Sequence, residues 1–289
     1  MKTPTIALVA LLLAGASTAR AITINATYRA PGQILTNFGL AQTTPANAVG
    51  GGTLQALVAA AVTYWQNAYA DPFTLTLEYG WFPRSGSTTG THSLLTEGGS
   101  PHRELSASLA FDSDQSTIWF VDPTPADNSE FALYQEYYSN LGGGIMNVGR
   151  EYTNGTGDAS RHDLFSTVLH EMGHALGLSA SNNAYVAETS VDTDIDLTSP
   201  RAYAGAAIPV NAGDAHLNLT HPLMRSSRPS AVRRLASEAD ILANAQISQF
   251  QQINLAPAVP EPQTVLLLAA GLAALPLVRR RLRRAAVRA

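Results

Sequence analysis

Residues 161–177 read RHDLFSTVLHEMGHALG, and the rest of the chain is best read outward from them. Leu164, Val168, Met172 and Leu176 recur at helical spacing. Asp163 is a residue type that accepts the free N–H groups at a helix start. Gly177 can take the positive φ that ends a helix. The stretch therefore predicts a helix from about Asp163 to Leu176. His170 and His174 are four apart, so their imidazoles lie one turn apart on one face. Two imidazoles so placed can bind one Zn²⁺ at about 2.0–2.1 Å. Glu171 sits beside the first of them, oriented toward a water on the metal rather than toward the metal itself. Burying this trio without an ion would be costly.

Catalytic zinc usually has three protein ligands and an open fourth position. A common continuation of HExxHxxG puts the third ligand three residues after the glycine, but here that residue is Ala180, whose methyl group cannot hold a metal. Of the seven histidines, His92, His102 and His162 precede the helix. His162 faces the wrong end of it, and His92 and His102 lie in a polar, glycine-rich stretch that reads as solvent-exposed. His216 and His221 remain, both in GDAHLNLTHPLMRSS (213–227). His216 is the preferred third ligand and His221 the alternative. Asp192, Asp194, Asp196 and Asp214 are also candidates. Clustered aspartates such as DTDID (192–196) can bind Ca²⁺, but the EF-hand pattern is incomplete and the reading is a solvated acidic loop.

HEMGHALG (170–177), followed by Met224 in HPLMRSS, resembles the metzincin clan of zinc endopeptidases. In that clan a tight turn places a methionine beneath the metal. The gap from His174 to His216, with Met224 eight residues further on, is similar to the leishmanolysin-like branch, which takes its third histidine from just before the Met-turn. The early segment YWQNAYADPFTLTLEYGW (64–81) is part of the likeness. The resemblance implies zinc held by His170, His174 and His216, Met224 in the Met-turn, and Glu171 as general base in peptide-bond hydrolysis. Zinc would polarise the scissile carbonyl and lower the pKa of its water. It implies a protein or peptide substrate, for which STIWFVD (116–122) offers a strand edge. A non-catalytic surface protein with a vestigial or structural metal site is the competing reading, and Glu171 discriminates, because a structural site needs no carboxylate there. Hydrolysis of a non-peptide amide is a third.

The chain of 289 residues is long enough for one large domain or two small ones, and 45% of it is apolar. Between residues 22 and 262, ten basic residues stand against 22 acidic ones, a balance of −12. An acidic body argues against nucleic acid as a partner. There is no cysteine, so disulfides and a cysteine-switch latency device are excluded.

Both ends read as targeting segments. Residues 1–21, MKTPTIALVALLLAGASTARA, have Lys2, an apolar run from Ile6 to Ala14, and alanines at 19 and 21, as in a signal peptide cut by signal peptidase. Residues 256–289 carry a Pro-Glu-Pro box, an apolar run from Val265 to Val278 and an arginine-rich end. Fourteen residues span about 21 Å as a helix, short of a bilayer core of about 30 Å. This segment resembles the PEP-CTERM sorting signal of Gram-negative bacteria. That resemblance implies transient membrane association, an exosortase-type processing enzyme, and a cell-surface or extracellular place connected with exopolysaccharide or biofilm. A plain tail anchor, a transmembrane helix, is the alternative.

Residues 22–255 read as one zinc-protease domain. Strands are expected at Ile22–Tyr28, Phe73–Trp81, Leu105–Phe111 and Ser116–Asp122, with a short one at Ile145–Val148. Helices are expected from Thr53, at 163–176, and near Glu238–Phe250. Residues 123–160 and 179–214 read as loop-rich. The fold class is α+β, metzincin-like, with a mixed sheet, an active-site helix and a C-terminal helix.

Overall fold

Strand β1 (Thr23–Tyr28) opens the fold with its alternating sequence, and one short antiparallel pair, β2 (Ile34–Leu35) and β3 (Gly39–Leu40), follows it. These positions come from a computed structural model, which describes residues 22–155 and 160–258. Residues 1–21, read above as a signal peptide, and all but the first three residues of 256–289, read as a sorting signal, lie outside the described residues. Helix α1 (Leu54–Ala68) starts where Thr53 accepts the Ala56 N–H. It crosses over to β4 (Thr74–Phe82), which pairs with β1 in parallel. Next come β5 (Gly90–Gly98) and β6 (Arg103–Asp112). The sheet order is β1-β4-β6-β5, with β6 parallel to β4 and β5 antiparallel to β6. The fold is therefore mixed α+β, with β5 at one edge of a mixed sheet.

Past β7 (Trp119–Phe120), the hairpin of β8 (Phe131–Asn140) and β9 (Ile145–Gly155) forms a second sheet. The expected loop at 123–160 is overturned here. GGG at 142–144 turns the chain, and Gly143 has no room for a side chain: a Cβ there would lie 2.1 Å from the Tyr203 carbonyl oxygen. Strand β10 (His162–Asp163) leads into α2 (Leu164–Ala175). The span 179–214 also holds more order than expected, with α3 (Asn183–Thr189), β11 (Asp194–Asp196) and β12 (Ala207–Pro209). Strand β13 (Arg233–Leu235) pairs with β9, and α4 (Glu238–Ser248) closes the domain behind a Ser237–Asp240 capping box.

Helix α2 is buried along its whole length, so it is the central element rather than a surface helix. Where the apolar pattern lapses, the Ser166 and Thr167 hydroxyls bond back to Asp163. Trp65 of α1 donates its indole N–H to the Leu169 carbonyl at 3.1 Å. Tyr64 of α1 donates to the Ala236 carbonyl just before α4, and Tyr69, at the C-cap of α1, donates to the Ile241 carbonyl of α4. Asp163 caps α2 by accepting the Ser166 N–H at 2.9 Å.

That cap is locked by Arg233, which is fully buried and binds Asp163 at 2.9 Å and Asp122 at 2.6 Å. The rings of Phe131 and Phe165 flank its guanidinium. Two carboxylates would lose their countercharge together if it were removed. Arg233→Met is therefore expected to destabilise the domain by about 3–5 kcal/mol, read from urea unfolding. A change under about 1 kcal/mol would mean that water reaches the two aspartates.

Candidate metal centre

His170, His174 and His216 converge: one ring nitrogen from each lies within 4.8 Å of the other two. The Nε2 atoms of His170 and His174 are 3.0 Å apart. Two ligands of one tetrahedral zinc, each at about 2.0–2.1 Å, would be separated by about 3.3 Å. Each Nδ1 is already committed to a backbone carbonyl, that of Leu223 for His170 (2.8 Å) and that of Leu178 for His174. A carbonyl only accepts, so Nδ1 carries the proton and Nε2 presents its lone pair to the shared point. Two facing lone pairs have no hydrogen bond to make with each other. Burial pushes both imidazoles well below their ordinary pKa, so both are neutral. The donor set, three neutral imidazoles on one side of a cleft, fits zinc with an open position.

The carbonyls that orient the two histidines are themselves held by α4. The Asp240 carboxylate accepts the N–H groups of Leu223 and Met224 at 3.0 and 2.9 Å. The Asn244 side-chain amide oxygen accepts the Leu178 N–H at 3.1 Å. Asp240 and Asn244 are one helical turn apart, and both are fully buried.

Gly177 takes φ +149° at the end of α2, and its N–H returns to the His174 carbonyl at 3.1 Å. A Cβ there would also meet the Ser248 hydroxyl of α4 at 2.9 Å.

His216 is reached through a loop closed by the Leu217 N–H on the Met224 carbonyl, at 2.8 Å. Its Nδ1 is buried 3.3 Å from Asp214, outside hydrogen-bond geometry, while its backbone N–H donates to the same carboxylate at 3.1 Å. Burial lowers its pKa too, and Asp214 opposes that shift.

Met224 is buried under α2. The glycine inside the motif makes room for it: a Cβ on Gly173 would sit 2.4 Å from the Met224 sulfur.

The structure places His221 away from this cluster. Its ring stacks on Tyr137 at 3.5 Å, with the planes 1° apart, and its Nδ1 lies 3.2 Å from Glu151. Asp214 stands behind His216 as its partner. Asp192, Asp194 and Asp196 form a separate group, with Asp192 and Asp196 exposed.

Glu171 is buried beside the triad. Burial raises its carboxyl above the ordinary range, and the Arg228 guanidinium, His92 and Arg84 pull it back. Arg228 Nη2 lies 3.7 Å from Glu171 Oε1. Gly90 of β5 packs directly on this carboxylate, since a Cβ there would lie 2.5 Å from Oε1. The cavity in front of the triad measures about 820 Å³ and reaches from Gly86 to Arg228.

His92 corrects an expectation. It is not solvent-exposed: its side chain is 7% exposed and its Nε2 binds the buried Glu104 at 2.6 Å. The partner sits on the neighbouring strand, twelve residues away, where no local pattern reveals it. His102 is exposed as expected. The edge assigned to residues 116–122 is also corrected. Only Trp119 and Phe120 are extended, held between β10 and Val49, so neither side is free. The edge beside the triad that no strand covers among the described residues is β5, which lines the cavity with Gly90, Thr91 and His92, the His92 N–H being turned to the Glu171 carboxylate. No helix among the described residues is long and apolar enough to cross a membrane. No family model, no curated protein and no solved structure matches this chain.

Proposed function

We propose that the chain is an exported zinc-dependent endopeptidase of metzincin type, with His170, His174 and His216 as the metal ligands. The observation that carries this reading is the convergence of three imidazoles beside a buried glutamate, in an open cavity flanked by a free sheet edge. Bound there, zinc supplies Lewis acidity and a water of lowered pKa. Glu171 takes the proton of the attacking water and passes it to the leaving amine. An extended peptide pairs with the β5 edge by backbone hydrogen bonds, which brings its carbonyl over the triad. Met224 supports the ligand turn of α2 from below. The terminal segments supply export and the surface or extracellular address.

Zinc content and casein hydrolysis test the reading on one preparation. The protein should hold about one zinc per chain and cleave casein, lose both on chelation and regain both with added zinc. A preparation that binds zinc but cleaves no protein would leave a structural metal site. One that holds no zinc would end the proposal.

Gly90 offers a finer check. Gly90→Ala should retain zinc yet lower hydrolysis by about tenfold to a hundredfold, because the new methyl displaces the base. Wild-type activity in that variant would show that Glu171 has room to move.

A further inference from the structure

The cavity in front of the triad is lined mainly by glycine, serine, threonine and histidine, with Ala180 and Ala215 as its apolar side chains. It offers no large apolar pocket to grip a bulky residue. Its lining contains one cation, Arg228, from SSRPS just past Met224.

Arg228 keeps donor capacity that its contacts with Glu171 and Thr89 do not use. Its side chain is 12% exposed. Among the described residues it donates one hydrogen bond, to Thr89, and its Nε is buried without a partner. The contact with Glu171, at 3.7 Å, is long for a charge-assisted hydrogen bond. A guanidinium with unspent donors in a largely buried position is costly until an acceptor arrives.

Charge points to the same acceptor. With zinc counted, Arg228 and Glu171 leave the cavity at +2, inside a body whose balance is −12. Asp214 and Glu104 lie behind His216 and His92, outside the cavity lining. The planar guanidinium matches a carboxylate, which it can bind through two parallel hydrogen bonds.

We infer that Arg228 is a carboxylate receptor, selecting peptides that carry an Asp or Glu side chain, or a free C-terminal carboxylate, next to the scissile bond. The inference rests on the zinc-peptidase reading above and names its substrate class. Because the guanidinium stands beside the general base, a side chain one residue from the reacting carbonyl is within its reach.

Matched quenched peptides differing as Asp against Asn beside the cleaved bond test the first source. Peptides ending in a carboxylate against an amide test the second. The full chain should prefer the acid member of at least one pair by about tenfold or more in kcat/KM, the factor a charge-assisted hydrogen bond supplies. Arg228→Lys should keep part of that preference, and Arg228→Gln should bring the ratio to about one. Loss of the Glu171 contact slows both members of a pair together, so the ratio isolates recognition.

Succinic monohydroxamate and its amide analogue give the same comparison by calorimetry, without turnover. A wild-type ratio of one in every pair, or a preference that survives in Arg228→Gln, overturns the inference. If neither hydroxamate binds and no zinc is held, the peptidase reading has failed, and this inference falls with it.

Discussion

Replacing His216 by alanine is expected to drop zinc from about one ion per chain to near zero after dialysis, and to abolish casein hydrolysis. Outer partners of a ligand are typically worth 10- to 100-fold in metal affinity, so removing a ligand itself should weaken binding by more than about 100-fold. The two remaining imidazoles stay in place, because their orientation comes from the carbonyls of Leu223 and Leu178. His221→Ala is the control. That ring is stacked on Tyr137 and sits beside Glu151, and its loss should leave zinc and hydrolysis near wild type. If His221→Ala empties the site and His216→Ala does not, the ligand assignment is wrong.

Glu171→Gln should separate binding from chemistry. The amide fills the same volume and leaves all three imidazoles untouched, so zinc stays at about one per chain. It cannot accept a proton, and a positioned general base is worth about 10²- to 10⁴-fold. Casein hydrolysis should fall by that factor. The variant also leaves Arg228 without its carboxylate neighbour, so its melting temperature belongs beside the activity. Residual activity within about threefold of wild type in a folded, zinc-loaded variant would remove Glu171 from the reaction.

The helix of the candidate site was legible because its signals are local. Asp163, the helical spacing of Leu164, Val168, Met172 and Leu176, and Gly177 lie within fifteen residues. His216 and Met224 came from their order in the chain, together with a family resemblance. What stayed hidden depends on partners remote in sequence. The β5 segment GTHSLLTEG shows no clean alternation, and most of its residues are half-buried on both faces. It is a strand because β6 pairs with it, and His92 is buried because Glu104 of β6 meets it. The β8 sequence FALYQEYYSN puts large side chains toward solvent on both faces, so no inward period marks it. Arg228 reads as an ordinary loop arginine until the fold sets it beside Glu171.

The support given by Asp240 and Asn244 bears on when the metal pocket comes into being. The contact between Leu178 and Asn244 spans 66 positions of chain, and such long closures pay their entropy before they return any stability. Until α4 docks, neither the Leu223 nor the Leu178 segment has its brace, and the imidazoles of His170 and His174 are not yet held in their shared orientation. If the site takes zinc as proposed, loading would follow the docking of α4, and a chain halted before residue 240 would bind the metal poorly.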